Sequence, residues 1–172
     1  MRVHNCPYSY EQLTYKALRP HYDRLTRAIV DPKKASLFVG HWTAGKRLLK
    51  DLKLGRKTDF AGCYVFLRGG KARYVGISQH VIKRICEHLN GKTHNTATLA
   101  FAMATKATKY KGNRDEAMGF PGFEPMFRKK QVGLSRGRVA FIPVRNPLEL
   151  YLFEAYAAIK LGTGRWNTFR TH

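Results

Sequence analysis

The apolar pattern is densest between Gly62 and His88, in the run GCYVFLRGGKARYVGISQHVIKRICEH. Tyr64-Val65-Phe66-Leu67 reads as one strand and Ala72-Arg73-Tyr74-Val75 as a second. Arg68-Gly69-Gly70-Lys71 makes the turn between them, because paired glycines supply the positive φ of a tight hairpin. Gly76 is expected to end the second strand, and Ser78 to cap a helix through Leu89. Tyr64 and Tyr74 lie near the ends of the hairpin farthest from its turn and are expected as cross-strand neighbours. Arg84 and His88, four apart, share one helix face, while Ile85 and Leu89 form an adjoining apolar face.

The flanking pattern is helical. Ser9-Tyr10-Glu11-Gln12 opens a helix whose stripe is Leu13, Tyr15, Leu18, Tyr22, Leu25 and Ile29, and Asp31-Pro32 stops it. A second helix is expected from Lys34 to Leu54, weakened by Gly40 and Gly45. Gly55-Arg56-Lys57-Thr58 connects to the hairpin. Asn90-Gly91-Lys92 ends the central helix, and 95–108 reads as another. Residues 109–137 are the least regular, broken by Gly and Pro, with an ordered piece hinted at by Met126-Phe127 and Val132. Arg138 to Val144 reads as a third strand, with Pro143 suited to an edge or a strand end. Asn146 caps a last helix, Pro147 takes its first position, Glu149 sits three after the cap, and Gly162 ends it. The expected class is α+β, with a helical N-terminal extension over 1–58 and a second domain over 59–172 carrying a basic insertion at about 95–137.

Charge changes this picture more than composition does. The 172 residues suit one domain with an appendage, and the apolar content is ordinary for a fold with a real core. Lysine and arginine number 32 against 11 acidic residues, a net charge of +21. A polyanion is the default partner for such an excess, although a solvated basic surface would give the same count. Residues 1–58 hold 13 basic and 4 acidic side chains, which fits either an arm along DNA or a helical layer with its charge in water. Lys109, Lys111, Arg128, Lys129 and Lys130 in the insertion, with Lys71 and Lys83, are candidate phosphate contacts. No run approaches the ~20 apolar residues of a membrane span. Cys6, Cys63 and Cys86 are an odd, unclustered set, which argues against disulfides or zinc and for a reducing, cytoplasmic setting.

Glu154 is the remaining oddity. Leu150, Tyr151, Ala157, Ala158 and Leu161 stand around it at helical spacing, so it projects from a mostly apolar face. A carboxylate there must be paired or bound to metal.

In order, Gly62-Cys63-Tyr64, Tyr74-Val75-Gly76, Arg84, His88, Glu154 and Asn167 resemble the motif of the GIY-YIG nucleases. The resemblance covers roughly 59–172, and the closing Trp166-Asn167-Thr168-Phe169-Arg170-Thr171-His172 is similar to the end of small stand-alone bacterial members. It implies a small, three-stranded, mainly antiparallel sheet flanked by helices. It also implies hydrolysis of DNA, with duplex as the expected form, to 5′-phosphate and 3′-hydroxyl ends with one Mg²⁺, or Mn²⁺ in its place. On the matching positions Glu154 becomes the metal ligand and Arg84 balances charge on the phosphate. Tyr64 stands by the attacking water with His88 assisting, Tyr74 contacts water or phosphate, Gly76 permits close backbone approach, and Asn167 orders the site. A phenol near pKa ~10 needs help from its neighbours to act as a base at neutral pH. Cys63 and Ile77 depart from the usual pattern, Ile77 where many relatives carry a polar or basic residue. A non-catalytic nucleic-acid-binding protein on the same scaffold is the alternative. Double-strand scission by one small site would favour a homodimer.

Overall fold

The computed structural model describes residues 3–55 and 57–169; Arg56 of the expected connection and the closing Arg170-Thr171-His172 lie outside them. In chain order the helices and strands are α1 Tyr10–Leu13, α2 Arg19–Val30, β1 Lys33–Lys34, α3 Lys46–Asp51, β2 Gly62–Arg68, β3 Lys71–Ser78, α4 Val81–Asn90, α5 Thr98–Thr108, α6 Phe123–Ser135, β4 Arg138–Pro143 and α7 Pro147–Leu161. The class is α+β. The sheet has four strands in the order β1-β4-β2-β3, not the expected three. The extra strand is two lysines long, too short and too polar to leave a hydrophobic signature.

The chain divides into two compact units, each built from separate stretches: residues 1–33, 60–81 and 139–172 in one, residues 34–59 and 82–138 in the other. The first 33 residues therefore belong with the hairpin, and 34–58 do not.

In the first unit, Ser9 opens α1 as a capping box, its hydroxyl taking the Gln12 N–H while Gln12 reaches back to the Ser9 N–H. A single π turn over Thr14–Leu18 joins α1 to α2, and Asp31 ends the run where Asp-Pro predicts it. The hairpin turn is as expected, with Gly69 and Gly70 at φ +57° and +73°. Gly76 does not end the second strand, which continues to Ser78. Asn146 caps α7 by accepting from the Leu148 and Glu149 N–H groups, Pro147 fills the first position, and Gly162 closes it at φ +64°. Glu149, expected only as a capping residue, also binds His21 Nε2 at 2.8 Å.

Strand alternation sorts the hairpin into two faces. Cys63, Val65, Leu67 and Val75 join Leu18, Leu25, Ala140, Ile142, Val144, Leu150, Phe153 and Ala157 in one buried cluster, with Ile77 packed against it. The small residues Ala157 and Ala158 let α7 lie close on β2 and β3. Each large apolar side chain so buried contributes roughly 1.5–3 kcal/mol before entropy is set against it. This explains Ile77: the position faces the core, where a polar side chain would lose its water.

In the second unit the expected 34–54 helix is broken. A 3-10 turn covers Ala35–Phe38, Gly40 takes φ +79°, and helix resumes only after Gly45. Asn90 ends α4 and holds the broken segment: its amide donates to the Phe38, His41 and Cys86 carbonyls and accepts from the Gly40 N–H. Residues 109–137 are more regular than expected, since α6 packs on α5. Its buried positions are Phe123, Phe127, Gln131 and Leu134, and Pro125 falls in the first turn, where no N–H is missed.

Candidate functional site

Tyr64 and Tyr74 project from the hairpin face opposite the α7 cluster. The register pairs Tyr64 with Gly76 and Phe66 with Tyr74, so the two tyrosines are diagonal neighbours and not directly opposed. Their ring centroids lie 6.2 Å apart at 52°. Phe66 meets Tyr64 edge-on at 6.1 Å. Tyr64 is buried and Tyr74 half-buried. Gly76 is small for a reason: a Cβ there would collide with the Tyr64 hydroxyl and ring.

Asn167 acts from the side. Its Oδ1 accepts from the Val75 N–H at 2.9 Å and its Nδ2 donates to the Val75 carbonyl at 2.7 Å. β3 is a sheet edge, so these bonds satisfy backbone groups that would otherwise invite another strand. Only a carboxamide supplies both donor and acceptor at that reach. The segment carrying it folds back through the Asn167 N–H to Thr163 carbonyl bond.

Glu154 stands on α7, the helix over the other hairpin face. It is half-buried, and burial holds its carboxyl above the ordinary value. Its charge reaches Cys63, whose thiol is pushed up mainly by burial and further by Glu154. Tyr151, expected on the apolar face beside Glu154, is instead 67% exposed. The buried stripe of α7 runs through Leu150, Phe153, Ala157 and Ala158.

Arg84 and His88 belong to the second unit. The Arg84 Nη1 donates to the Glu87 carboxylate at 3.1 Å and to the Asn95 and Thr96 carbonyls, and Nη2 donates to Thr98 Oγ1 at 3.0 Å. This guanidinium thus ties α4 to the segment that enters α5. His88 is fully buried, and burial, then the Arg84 charge, holds its imidazole well below the usual value, so it is neutral at pH 7. Two residues of this unit carry structure that the sequence reading did not assign. Asp59 accepts from the Ile82 and Lys83 N–H groups at 2.9 Å each, capping α4 from a distant point in the chain. Its signal was weak, because it lies 23 positions before Ile82. Ser78 instead accepts from the His80 N–H, before the helix begins. Gln131 is buried and donates to the Gly91 carbonyl at 2.8 Å. Its spacing from Phe123 and Phe127 marks it as inward-facing.

Among the candidate phosphate contacts, Lys71, Lys109, Lys111 and Lys129 are exposed and Lys130 is half-buried. Lys83 is shared with Glu87 at 3.8 Å. Arg128 is engaged internally: it lies over the Phe127 ring, donates to Gln131 and the Gly91 carbonyl, and contacts Glu124 at 3.5 Å. Cys6, Cys63 and Cys86 are buried free thiols, and burial pushes Cys86 up to about 12, which leaves it unreactive. No helix among the described residues is long and apolar enough to cross a membrane.

Among the described residues no three His, Cys, Asp or Glu side chains gather around one point. An all-protein cage of the kind zinc takes is therefore not formed among the described residues. That is compatible with Mg²⁺, which keeps several waters and binds through one or two carboxylates plus substrate phosphates. Glu154 fits that role, since a half-buried carboxylate with a raised pKa gains from a nearby cation. No family model, curated protein or solved structure matches the chain.

Proposed function

We propose that this chain is a metal-dependent DNA endonuclease of the GIY-YIG type, hydrolysing phosphodiesters to 5′-phosphate and 3′-hydroxyl ends. The observation that carries the reading is the hairpin pair. Tyr64 and Tyr74 stand 6.2 Å apart on one face, with a glycine packed under the Tyr64 hydroxyl and the strand edge fixed by Asn167. The glycine makes room for the Tyr64 hydroxyl, and the carboxamide covers the strand edge. Both hold a phenol and a backbone segment in one position, as a reacting centre demands. The net charge of +21 supports a polyanionic substrate, with Lys71, Lys109, Lys111 and Lys129 free to meet phosphates.

The roles follow residue by residue. Glu154 would hold the Mg²⁺, which when bound polarises the phosphate and stabilises the leaving oxygen. Tyr64 orients the attacking water and takes part in its deprotonation. Tyr74, half-exposed, hydrogen-bonds water or phosphate. Arg84 supplies positive charge. His88, one turn after Arg84 on α4, is buried and neutral, and its assisting role is assigned through neighbouring groups and not by touching DNA. A homodimer would let such a small site cut both strands.

The Arg84 guanidinium is already bonded to Glu87, Asn95, Thr96 and Thr98, and Glu154 stands on α7 over the hairpin face opposite the tyrosines; both favour the alternative of a non-catalytic nucleic-acid-binding protein over the endonuclease. Cleavage of supercoiled plasmid with Mg²⁺, by the wild type, Tyr64→Phe and Tyr74→Phe, separates the two. The endonuclease reading expects nicking by the wild type and a loss of about 10²-fold for each phenylalanine variant, the scale of a lost general acid–base group. Binding of DNA without nicking under any metal would leave only the binding protein.

A further inference from the structure

In the second unit, α3 and the turn after it enclose a cleft of about 580 Å³ that no proposed cleavage residue lines. It is lined by Lys46, Lys50, Lys53 and Lys57, with Leu49, Leu54 and Gly55. Lys46 and Lys50 are one helical turn apart, about 5.4 Å along the axis. Lys53 takes φ +53° and Gly55 φ +61° in the turn that closes the cleft. All four lysines are exposed, and among the described residues none has an ion-pair partner. The lining includes no carboxylate; Asp51, the nearest acid in sequence, is exposed but does not line it.

We infer that this cleft binds the phosphates of an unpaired polynucleotide strand. Four like charges around one concavity attract an anionic ligand that carries several charges. The shape selects among polyanions. A concave site of this volume is in the range that takes small ligands, and a flexible unpaired strand follows a concavity that a stiff duplex spans. A single strand enters such a groove with its phosphates against the lysines. A lipid surface fits less well, since Leu49 is 2% exposed and no apolar side chain of the cleft protrudes for insertion. The inference rests on nucleic acid being this chain's partner, and not on the cleavage chemistry. It adds an unpaired strand to the duplex expected at the hairpin, as a nuclease acting at a junction, flap or opened duplex would require.

The test uses the full chain without Mg²⁺ and a labelled single-stranded oligothymidylate, beside a duplex of equal length. The variant Lys46→Gln/Lys50→Gln/Lys53→Gln keeps helix propensity, and circular dichroism verifies its fold. Its affinity for the single strand is expected to fall about tenfold or more near ~0.1 M salt, and the log–log salt slope to flatten by about 2, three contacts at ~0.7 each. Duplex affinity should stay within about twofold. The arginine triple variant at the same positions should bind as the wild type does. So should a charge-matched control, Lys16→Gln/Lys34→Gln/Lys92→Gln, at exposed positions elsewhere. An unchanged single-strand affinity in the glutamine triple, or an equal loss on duplex, overturns the inference and leaves the proposed function standing. Failure of the wild type to bind either nucleic acid overturns both. Loss confined to binding of phosphatidylserine-containing vesicles would make the cleft a lipid site and overturn it as well.

Discussion

Glu154→Gln is expected to abolish plasmid cleavage, by on the order of 10³-fold, while DNA affinity stays within about twofold. Among the residues given roles, Glu154 is the acid assigned to the cation. The amide keeps size and burial, which separates loss of the ligand from loss of packing. The same substitution has a readout on stability with a fixed sign. Burial raises the folded-state pKa of Glu154 above its unfolded value. The protonated form is therefore the one the fold favours, and the stability this group gives is present below the unfolded pKa and lost as pH rises through the raised folded value. Relative to Glu154→Gln, the wild type should lose stability across that window and then hold a constant deficit up to neutral pH. Urea unfolding of both proteins from about pH 4 to about pH 8 reads the difference. Cleavage should move the opposite way, rising with pH through that window, because the ionised carboxylate is the metal-binding form. A cleavage rate that survives the substitution would reject the metal role outright.

Gly62→Ala is the substitution expected to cost the fold most. The Cβ it adds would run into the Ile142 carbonyl oxygen and would stand 3.0 Å from both the Ile142 carbonyl carbon and the Pro143 Cα. All three are backbone atoms of β4, so nothing can rotate aside, and β2 and β4 must separate. A loss of about 3 kcal/mol, the upper end of overpacking costs, lowers the melting temperature by about 6–12 °C in a chain of this size. Gly76→Ala should cost less, since its Cβ meets the Tyr64 side chain and not backbone. An unchanged melting temperature for Gly62→Ala would mean that the β2–β4 approach is not as close as described.

The elements that could be read ahead were those whose reasons are local. Gly69-Gly70, the Ser9 capping box, Asp31-Pro32 and the Asn146-Pro147…Gly162 frame of α7 each sit next to the element they govern. The misreadings came from causes distant in sequence. Gly76 stays in β3 because Tyr64 across the hairpin needs the room and Asn167, 92 positions on from Val75, holds the edge. The helix expected over 34–54 fails because Asn90 gathers the Phe38, Gly40 and His41 backbone into a loop. β1 has no pattern, as two lysines pair by backbone alone. The candidate site divides the same way. The pairing of the tyrosines was legible from hairpin geometry, but their diagonal offset depended on a register shift between Phe66 and Leu67 that no spacing reveals. Glu154 was legible as a carboxylate on an apolar helix. That α7 covers the Cys63 face, opposite the tyrosines, depended on which side of the sheet the helix chose.

The central claim is hydrolysis of DNA by this chain with a divalent cation, and the ends of the cleaved strand test it most directly. A DNA substrate labelled at either end, incubated with the protein and Mg²⁺, should yield fragments that ligate without treatment and whose 5′ ends are phosphatase-sensitive. Chelation should stop their formation. DNA that is bound yet intact at every Mg²⁺ or Mn²⁺ concentration, or fragments ending in 3′-phosphate, would contradict it.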